Sequence, residues 1–460
     1  MTSTKTSRAP AKAPLFAWTK TVQPSFGQAD PVLLATVVAL IAFGVVMVFS
    51  ASAVFASQQR FTNHDGNYFL IRQGGFALIS VPLMLLVSRI DSKRWQPLAY
   101  PILLITTGLM VATLFIGHSV GGATRWIQVG PVNIQAAELA KVAIVIYLAH
   151  SLSKKNSDQI RTFKVGILPH LIVLGVLAFL SYRQNDLGSA MMFGILTLVM
   201  LFAAGAKTGP IALIVLGATS LVAISIFSTS WRRGRIEAFL DPFGHRQGSG
   251  YQIVESILSF GSGGWTGVGL GDSRQKLFFL PEAHTDFISA IIGEELGFIG
   301  IVLLVCAFSL VVIRGFRAAF RAENEHASLL AVGITTFIGT SAFANLAVAM
   351  GLLPTKGLVL PFISYGGSSL LVCAGAMGIV LSVSRHAQRA DEAVNASAAA
   401  TNAPLELAGF PREKERDGSK DGLGAADDMV VAREAGMAAA SEGSRIARAS
   451  AARGLRGVTT

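Results

Sequence analysis

Along most of this chain apolar and polar positions come in long blocks and do not alternate. Runs of about 18 to 27 mostly apolar residues are separated by short polar connections. A helix rises about 1.5 Å per residue, so each run crosses the roughly 30 Å of bilayer hydrocarbon. Ten runs qualify: residues 31–55, 68–88, 98–117, 135–152, 165–182, 187–205, 210–228, 287–313, 327–351 and 367–384. The pattern predicts an all-α polytopic membrane protein with ten transmembrane helices. The narrowest separations are Arg183-Gln184-Asn185-Asp186, between the fifth and sixth spans, and Lys207-Thr208-Gly209-Pro210, between the sixth and seventh. One large loop, about residues 229–286, joins the seventh span to the eighth. Residues 1–29 form a polar N-terminal segment, 30–385 the membrane domain, and 386–460 a tail with too few large apolar residues to bury a core, hence disordered.

Composition supports this division. Of the 460 residues, 52% are hydrophobic and only 14% charged, against about 25% charged in an average soluble protein. Mean hydropathy is +0.55. These values argue against a soluble enzyme. The net charge is +11, and because residues 391–460 carry slightly more acidic than basic groups, the excess belongs to the apolar part. In a membrane protein such an excess marks cytoplasmic loops and anionic headgroups. No Lys/Arg cluster is interleaved with aromatics, so no nucleic-acid partner is expected. The two cysteines, Cys306 and Cys373, lie inside apolar runs, which excludes a disulfide framework and a CxxC metal site.

The distribution of Lys and Arg sets the expected orientation. One set of short connections holds Arg89, Lys93 and Arg94, then Lys154, Lys155, Arg161 and Lys164, then Lys207, then Arg314, Arg317 and Arg321; the other holds mostly single cations, Arg60, Arg125, Arg183 and Lys356. Positive loops stay inside. Both termini are therefore expected in the cytoplasm and the large loop outside.

Ionisable residues at membrane depth are costly and mark function. They are Arg72, Glu138, Lys141, Asp186, Asp286, Glu294 and Glu295. Glu138 and Lys141, three apart, share a helix face, either as a self-neutralising structural pair or as direct ligand contacts. Glu294 and Glu295, between Gly293 and Gly297, read as structural, at least one of them sealing a polar interhelical contact, with proton relay as the alternative. The large loop carries glycines at 261, 263, 264, 267, 269 and 271, suited to close backbone approach or to a flexible linker. They form neither GxGxxG nor GxxxxGK[ST], so no nucleotide site is supported. Chemistry or transport would draw its energy from the substrate or a gradient.

Four motifs carry a resemblance: Phe69-Leu70-Ile71-Arg72-Gln73; Gly121-Gly122-Ala123-Thr124-Arg125-Trp126-Ile127 with Gln135 to Lys141; Leu280-Pro281-Glu282-Ala283-His284-Thr285-Asp286-Phe287 with Gly293-Glu294-Glu295-Leu296-Gly297; and Leu353-Pro354-Thr355-Lys356-Gly357 with Leu360 to Ser369. On these the chain resembles the SEDS family of FtsW, RodA and SpoVE over about residues 30–385, nearest its FtsW, or division, branch. Two departures stand out: the family's Gln-Pro-Ser-Glu is Gln135-Ala136-Ala137-Glu138 here, and its Pro-Asp-Leu-Gly is Asn185-Asp186-Leu187-Gly188.

The resemblance implies a peptidoglycan glycosyltransferase that polymerises lipid II at the outer face of the inner membrane during septal wall synthesis. It implies a class B penicillin-binding protein of the FtsI type and other divisome membrane proteins as partners. The rival readings are a lipid II flippase and a non-catalytic divisome scaffold. In the enzyme reading, Asp286 is the expected base, its structural alternative being a helix N-cap. Arg72, Lys141, Lys276 and Lys356 are the cations expected to face the pyrophosphate, and Glu138, Arg125, His284 and Ser364 are further substrate-binding candidates. No dedicated metal-binding residues are expected; the pyrophosphate leaves a divalent cation, Mg2+ or Mn2+, open as cofactor.

Overall fold

The computed structural model describes residues 29–401 apart from 121, 122, 131, 278 and 356. The N-terminal segment before residue 29, Lys356, and the tail beyond 401 lie outside the described residues. The helices are α1 (Pro31–Gln58), α2 (Tyr68–Val87), α3 (Trp95–Ile116), α4 (Ala136–Ser153), the short α5 (Ser157–Arg161), α6 (Leu168–Arg183), α7 (Leu187–Ala203), α8 (Thr208–Phe227), α9 (Ser230–Leu240), α10 (Tyr251–Gly263), α11 (Ile288–Phe320), α12 (Glu325–Ala349) and α13 (Gly367–Thr401). Among the described residues nine helical segments are long and apolar enough to cross a membrane, and α7, at 17 residues, is a shorter apolar helix. The chain is a polytopic helical membrane protein.

Polar ties fasten α1 to its neighbours at two levels. At one end, Asp30 pairs with Arg314 of α11 at 3.1 Å and its N–H donates to Ser384 of α13. Twenty residues along, Ser50 donates to both carboxylate oxygens of Glu295 at 2.7 Å. Twenty residues of helix measure about 30 Å, the thickness of the hydrocarbon. These two layers therefore stand about one hydrocarbon thickness apart along α1. Phe55, a further turn along, touches His284, which places the loop before α11 near the Ser50 layer.

Among the described residues one sheet interrupts the prevailing helical pattern. Between α3 and α4 lies an antiparallel three-stranded sheet in the order β1-β2-β3, formed by β1 (His118–Val120), β2 (Ala123–Val129) and β3 (Val132–Gln135), with Ile127 opposite Ile134 and Trp126 opposite Gln135. The sheet stiffens the loop that carries Arg125 and ends at Gln135, the residue before α4.

The stretch between α8 and α11 is no featureless loop, because it contains α9 and α10. The segment after α10 seals a break in α11. Gly297 takes φ 65 and ψ −164, opening the helix, and the released groups are bonded by that segment. Val268 and Gly269 N–H donate to the Glu294 and Glu295 carbonyls, and Phe298 and Ile299 N–H to the Gly264 and Trp265 carbonyls, at 2.9–3.1 Å. Broken helices persist at membrane depth only where protein satisfies the backbone in this way. Glycine is required, since a Cβ on Gly297 would stand 2.3 Å from the Gly267 nitrogen.

Both helix starts that lack the family's proline form without it. Gln135 is extended and α4 begins at Ala136. Asn185 adopts φ 58, a left-handed conformation closed to proline. The next residue, Asp186, caps α7 by accepting from Ser189 N–H at 3.1 Å.

Candidate active site

Asp286 precedes α11 in a loop wound around Glu282, whose carbonyl accepts the N–H groups of both Thr285 and Phe287 at 3.2 Å. Two long-range ties hold this loop against the segment before α13. Asn345 of α12 donates to the Asp286 carbonyl at 2.8 Å and the Leu358 carbonyl at 2.5 Å, and accepts from Ser289 at 3.0 Å. Ser364 donates to the Thr285 carbonyl at 2.6 Å and accepts the Leu360 N–H at 2.8 Å. The backbone of Asp286 is thereby fixed from both sides.

The N-cap of α11 is Phe287, with no side-chain cap bond. Among the described residues the Asp286 carboxylate makes no hydrogen bond or ion pair, whereas Asp186 fills the capping role at its own helix. Burial, reinforced by the negative charge of Glu282, pushes the Asp286 carboxyl up to about 7, against the opposing pull of Arg125 and Arg235. A carboxylate poised near neutrality is suited to accept a proton.

Gly357 stands between Asp286 and a cavity of 180 Å3. A Cβ on Gly357 would lie 3.1 Å from Asp286 Oδ2 and 3.6 Å from Arg125 Nη1. Arg125 lines the cavity with Asp186, Trp231, Arg235 and Thr355, and is held by a hydrogen bond to the Asn185 carbonyl. A base and a fixed cation thus flank one small space, as a reaction that moves a proton and builds up negative charge requires.

The remaining sequence-predicted residues fall into other groups. The His284 ring lies 4.8 Å from Phe69, 5.5 Å from Phe55 and 5.9 Å from Tyr365. Burial lowers its pKa, against the opposing pull of Glu282. Arg72 stacks 4.4 Å over Tyr68 and reaches the Tyr365 side chain. Ser364, as above, is spent on backbone ties. Glu138 and Lys141 form an ion pair at 2.6 Å, 5% and 4% exposed, with the ammonium 5.1 Å from the Phe337 ring centre. Lys276 is buried against Glu295 at 3.1 Å and Ser50 at 3.4 Å. Glu294 accepts from Ser273 and from the Arg274 N–H, so both glutamates seal the large loop to α11. Lys356 lies outside the described residues.

The structure adds two charged residues that the sequence reading had not singled out. Glu282 influences Asp286 through the loop they share. Arg235 on α9 lines the cavity and donates to the Thr355 carbonyl at 3.0 Å. No local pattern distinguishes Arg235 from its neighbours Arg232 and Arg233.

Comparison with known proteins agrees with this architecture. Residues 31–389 match the FtsW/RodA/SpoVE family, described as cell cycle protein. Proteins named probable peptidoglycan glycosyltransferase FtsW from Geobacter sulfurreducens and Trichlorobacter lovleyi are each 45% identical to this chain, covering 77% of it and 95% and 93% of their own lengths. Among solved structures, one described as showing structural coordination of polymerization and crosslinking by a peptidoglycan synthase complex aligns with TM-score 0.64 at 27% identity, covering 78% of this chain and 98% of its own. The rod shape determining protein RodA of Thermus thermophilus aligns with TM-score 0.58 at 27% identity, covering 78% and 97%. The chain belongs to the FtsW/RodA/SpoVE family.

Proposed function

We propose that this protein is a peptidoglycan glycosyltransferase that polymerises lipid II into glycan strands for the division septum. The observation that carries the reading is the half-buried Asp286 carboxylate, without a hydrogen-bond or ion-pair partner among the described residues, facing Arg125 across Gly357, in a family whose relatives bear that activity in their names. The membrane domain, residues 30–385, crosses the inner membrane ten times, with α7 as the shortest span. The excess of Lys and Arg in the loops on the Asp30–Arg314 side supports a cytoplasmic location for that side, both termini and the tail from 386. Asp286 then lies at the outer face, where the lipid-linked sugar is presented.

In the reaction, the 4-hydroxyl of an acceptor GlcNAc attacks C1 of the donor MurNAc. Asp286 takes the hydroxyl proton, which contributes about 10²- to 10⁴-fold. The bond from C1 to the pyrophosphate oxygen breaks with inversion, and undecaprenyl pyrophosphate leaves carrying the electron pair. Arg125, fixed by the sheet and by Asn185, opposes the growing negative charge. Among the described residues no three His, Cys, Asp or Glu side chains converge to hold a metal ion, and no step here passes through one. The working partner is a class B penicillin-binding protein of the FtsI type, which crosslinks the emerging strand, within the divisome.

Purified protein given lipid II and that partner, with its transpeptidase blocked, should yield glycan chains and undecaprenyl pyrophosphate. Transbilayer movement of lipid II without polymer would replace this reading with the transporter.

A further inference from the structure

Helix α9 opens the large loop immediately after α8, a helix with no buried residue among those described. Its three central arginines are used differently. Arg232 stacks 4.7 Å over Tyr182 and donates to Ser225 at 2.7 Å, pinning α9 to the end of α8. Arg233 is exposed and pairs with Glu237 one turn along. Arg235 reaches away from its own hairpin, lies 4.2 Å over the Trp231 ring, and donates one N–H to the Thr355 carbonyl.

Arg235 and Arg125 line the same 180 Å3 cavity, close enough to repel each other. Among the described residues neither forms an ion pair. The carboxylates nearby do not neutralise them at contact distance. Asp186 is engaged by Ser189 and by Gln135, and Asp286 stands behind Gly357. Two partly buried guanidinium groups on one small cavity, with donors to spare, form a costly arrangement that an anion between them relieves. The fork geometry of arginine suits the paired oxygens of a phosphate.

We propose that Arg235 binds the diphosphate of the lipid-linked donor sugar, with Arg125 as its counterpart. The inference rests on the glycosyltransferase reading and extends it to a residue of the large loop. Asp286 marks the side from which the acceptor hydroxyl attacks. In an inverting displacement the leaving oxygen departs on the opposite side of C1, taking the electron pair of the broken bond, while the hydroxyl proton goes to Asp286. The charge therefore grows on the diphosphate, where the two guanidinium groups meet it.

The test is direct binding of fluorescent undecaprenyl diphosphate and undecaprenyl monophosphate to the full chain in detergent, alongside polymerisation of lipid II by the wild type together with its transpeptidase-blocked penicillin-binding partner. Arg235→Ala should weaken diphosphate binding about tenfold or more and monophosphate binding far less, and Arg233→Ala should change neither. If Arg235→Ala does not accumulate, Arg235→Lys carries the same comparison, with a smaller selective loss because the charge stays and the fork goes. Unchanged diphosphate binding, or equal loss for both lipids, in a protein whose wild type polymerises lipid II would overturn the role of Arg235 and leave the enzyme reading standing. Selective loss in a protein whose wild type makes no glycan would support the diphosphate site and overturn the enzyme reading.

Discussion

Asn345 donates both to the main-chain carbonyl of Asp286 and, with the same amide nitrogen, to that of Leu358. One buried amide on α12 thus fastens the loop carrying the candidate base to the segment carrying Gly357. Asn345→Leu leaves those carbonyls without their donor, at about 1–3 kcal/mol for each buried group left unsatisfied. Turnover should fall more steeply than thermal stability in detergent, because the misplaced group is the base. A parallel fall in both would make the tie purely structural.

Gly357 gives a sharper steric test. A methyl there would stand 3.1 Å from the Asp286 carboxylate, forcing it aside and filling the approach from the cavity. Gly357→Ala should accumulate normally yet lower kcat about tenfold or more, since small misplacements of a catalytic group are costly. Wild-type turnover in this variant would show that the acceptor reaches Asp286 by another route.

The raised pKa of Asp286 predicts a pH profile. As a base it works deprotonated, so kcat/KM should rise with pH and level off above about 7. Stability should run the opposite way. The folded state holds this proton more tightly than the unfolded chain, so between about pH 4 and 7 the carboxyl's contribution declines as pH rises. Asp286→Asn should remove that slope, which paired melts across the pH range would reveal.

Lys276 and Glu295 are 7% and 0% exposed, and removing one partner strands the other. Lys276→Met should cost about 3–5 kcal/mol, and Lys276→Met with Glu295→Gln much less. Melting of the two variants in detergent measures this. If the single and double variants are equally stable, the pair is not what holds the large loop to α1 and α11.

The apolar helices were legible because long apolar runs report burial in lipid wherever they occur, and all of the runs but that of α7 reappear in helices long and apolar enough to cross a membrane. Asp286 and Arg125 were legible only through motif resemblance; nothing in their local pattern announces that Gly357 brings them together. Lys276 read as a cation facing substrate because a loop lysine looks the same whether it meets solvent or Glu295, 19 residues on. The three-stranded sheet was hidden in a segment too short for span analysis, although the alternation from Trp126 to Ile134 around Gly130 is a hairpin pattern. Arg235 was missed for a similar reason, since its partner Thr355 lies 120 residues away.

Sidedness follows from charge and is testable without activity. A cysteine replacing Gln247, which is exposed between α9 and α10, should react with an impermeant thiol reagent from outside. A cysteine replacing Ser153, at the end of α4, should not. The reverse pattern would put Asp286 on the cytoplasmic face, away from the growing wall.

The most direct measurement compares glycan polymer made from lipid II by the wild type and by Asp286→Asn, each reconstituted with the same transpeptidase-blocked penicillin-binding protein. Asparagine keeps the size of the side chain and removes the base. The account predicts polymer from the wild type and a loss of about 10²-fold or more in the variant, with lipid II binding retained. Equal polymer from both would contradict it.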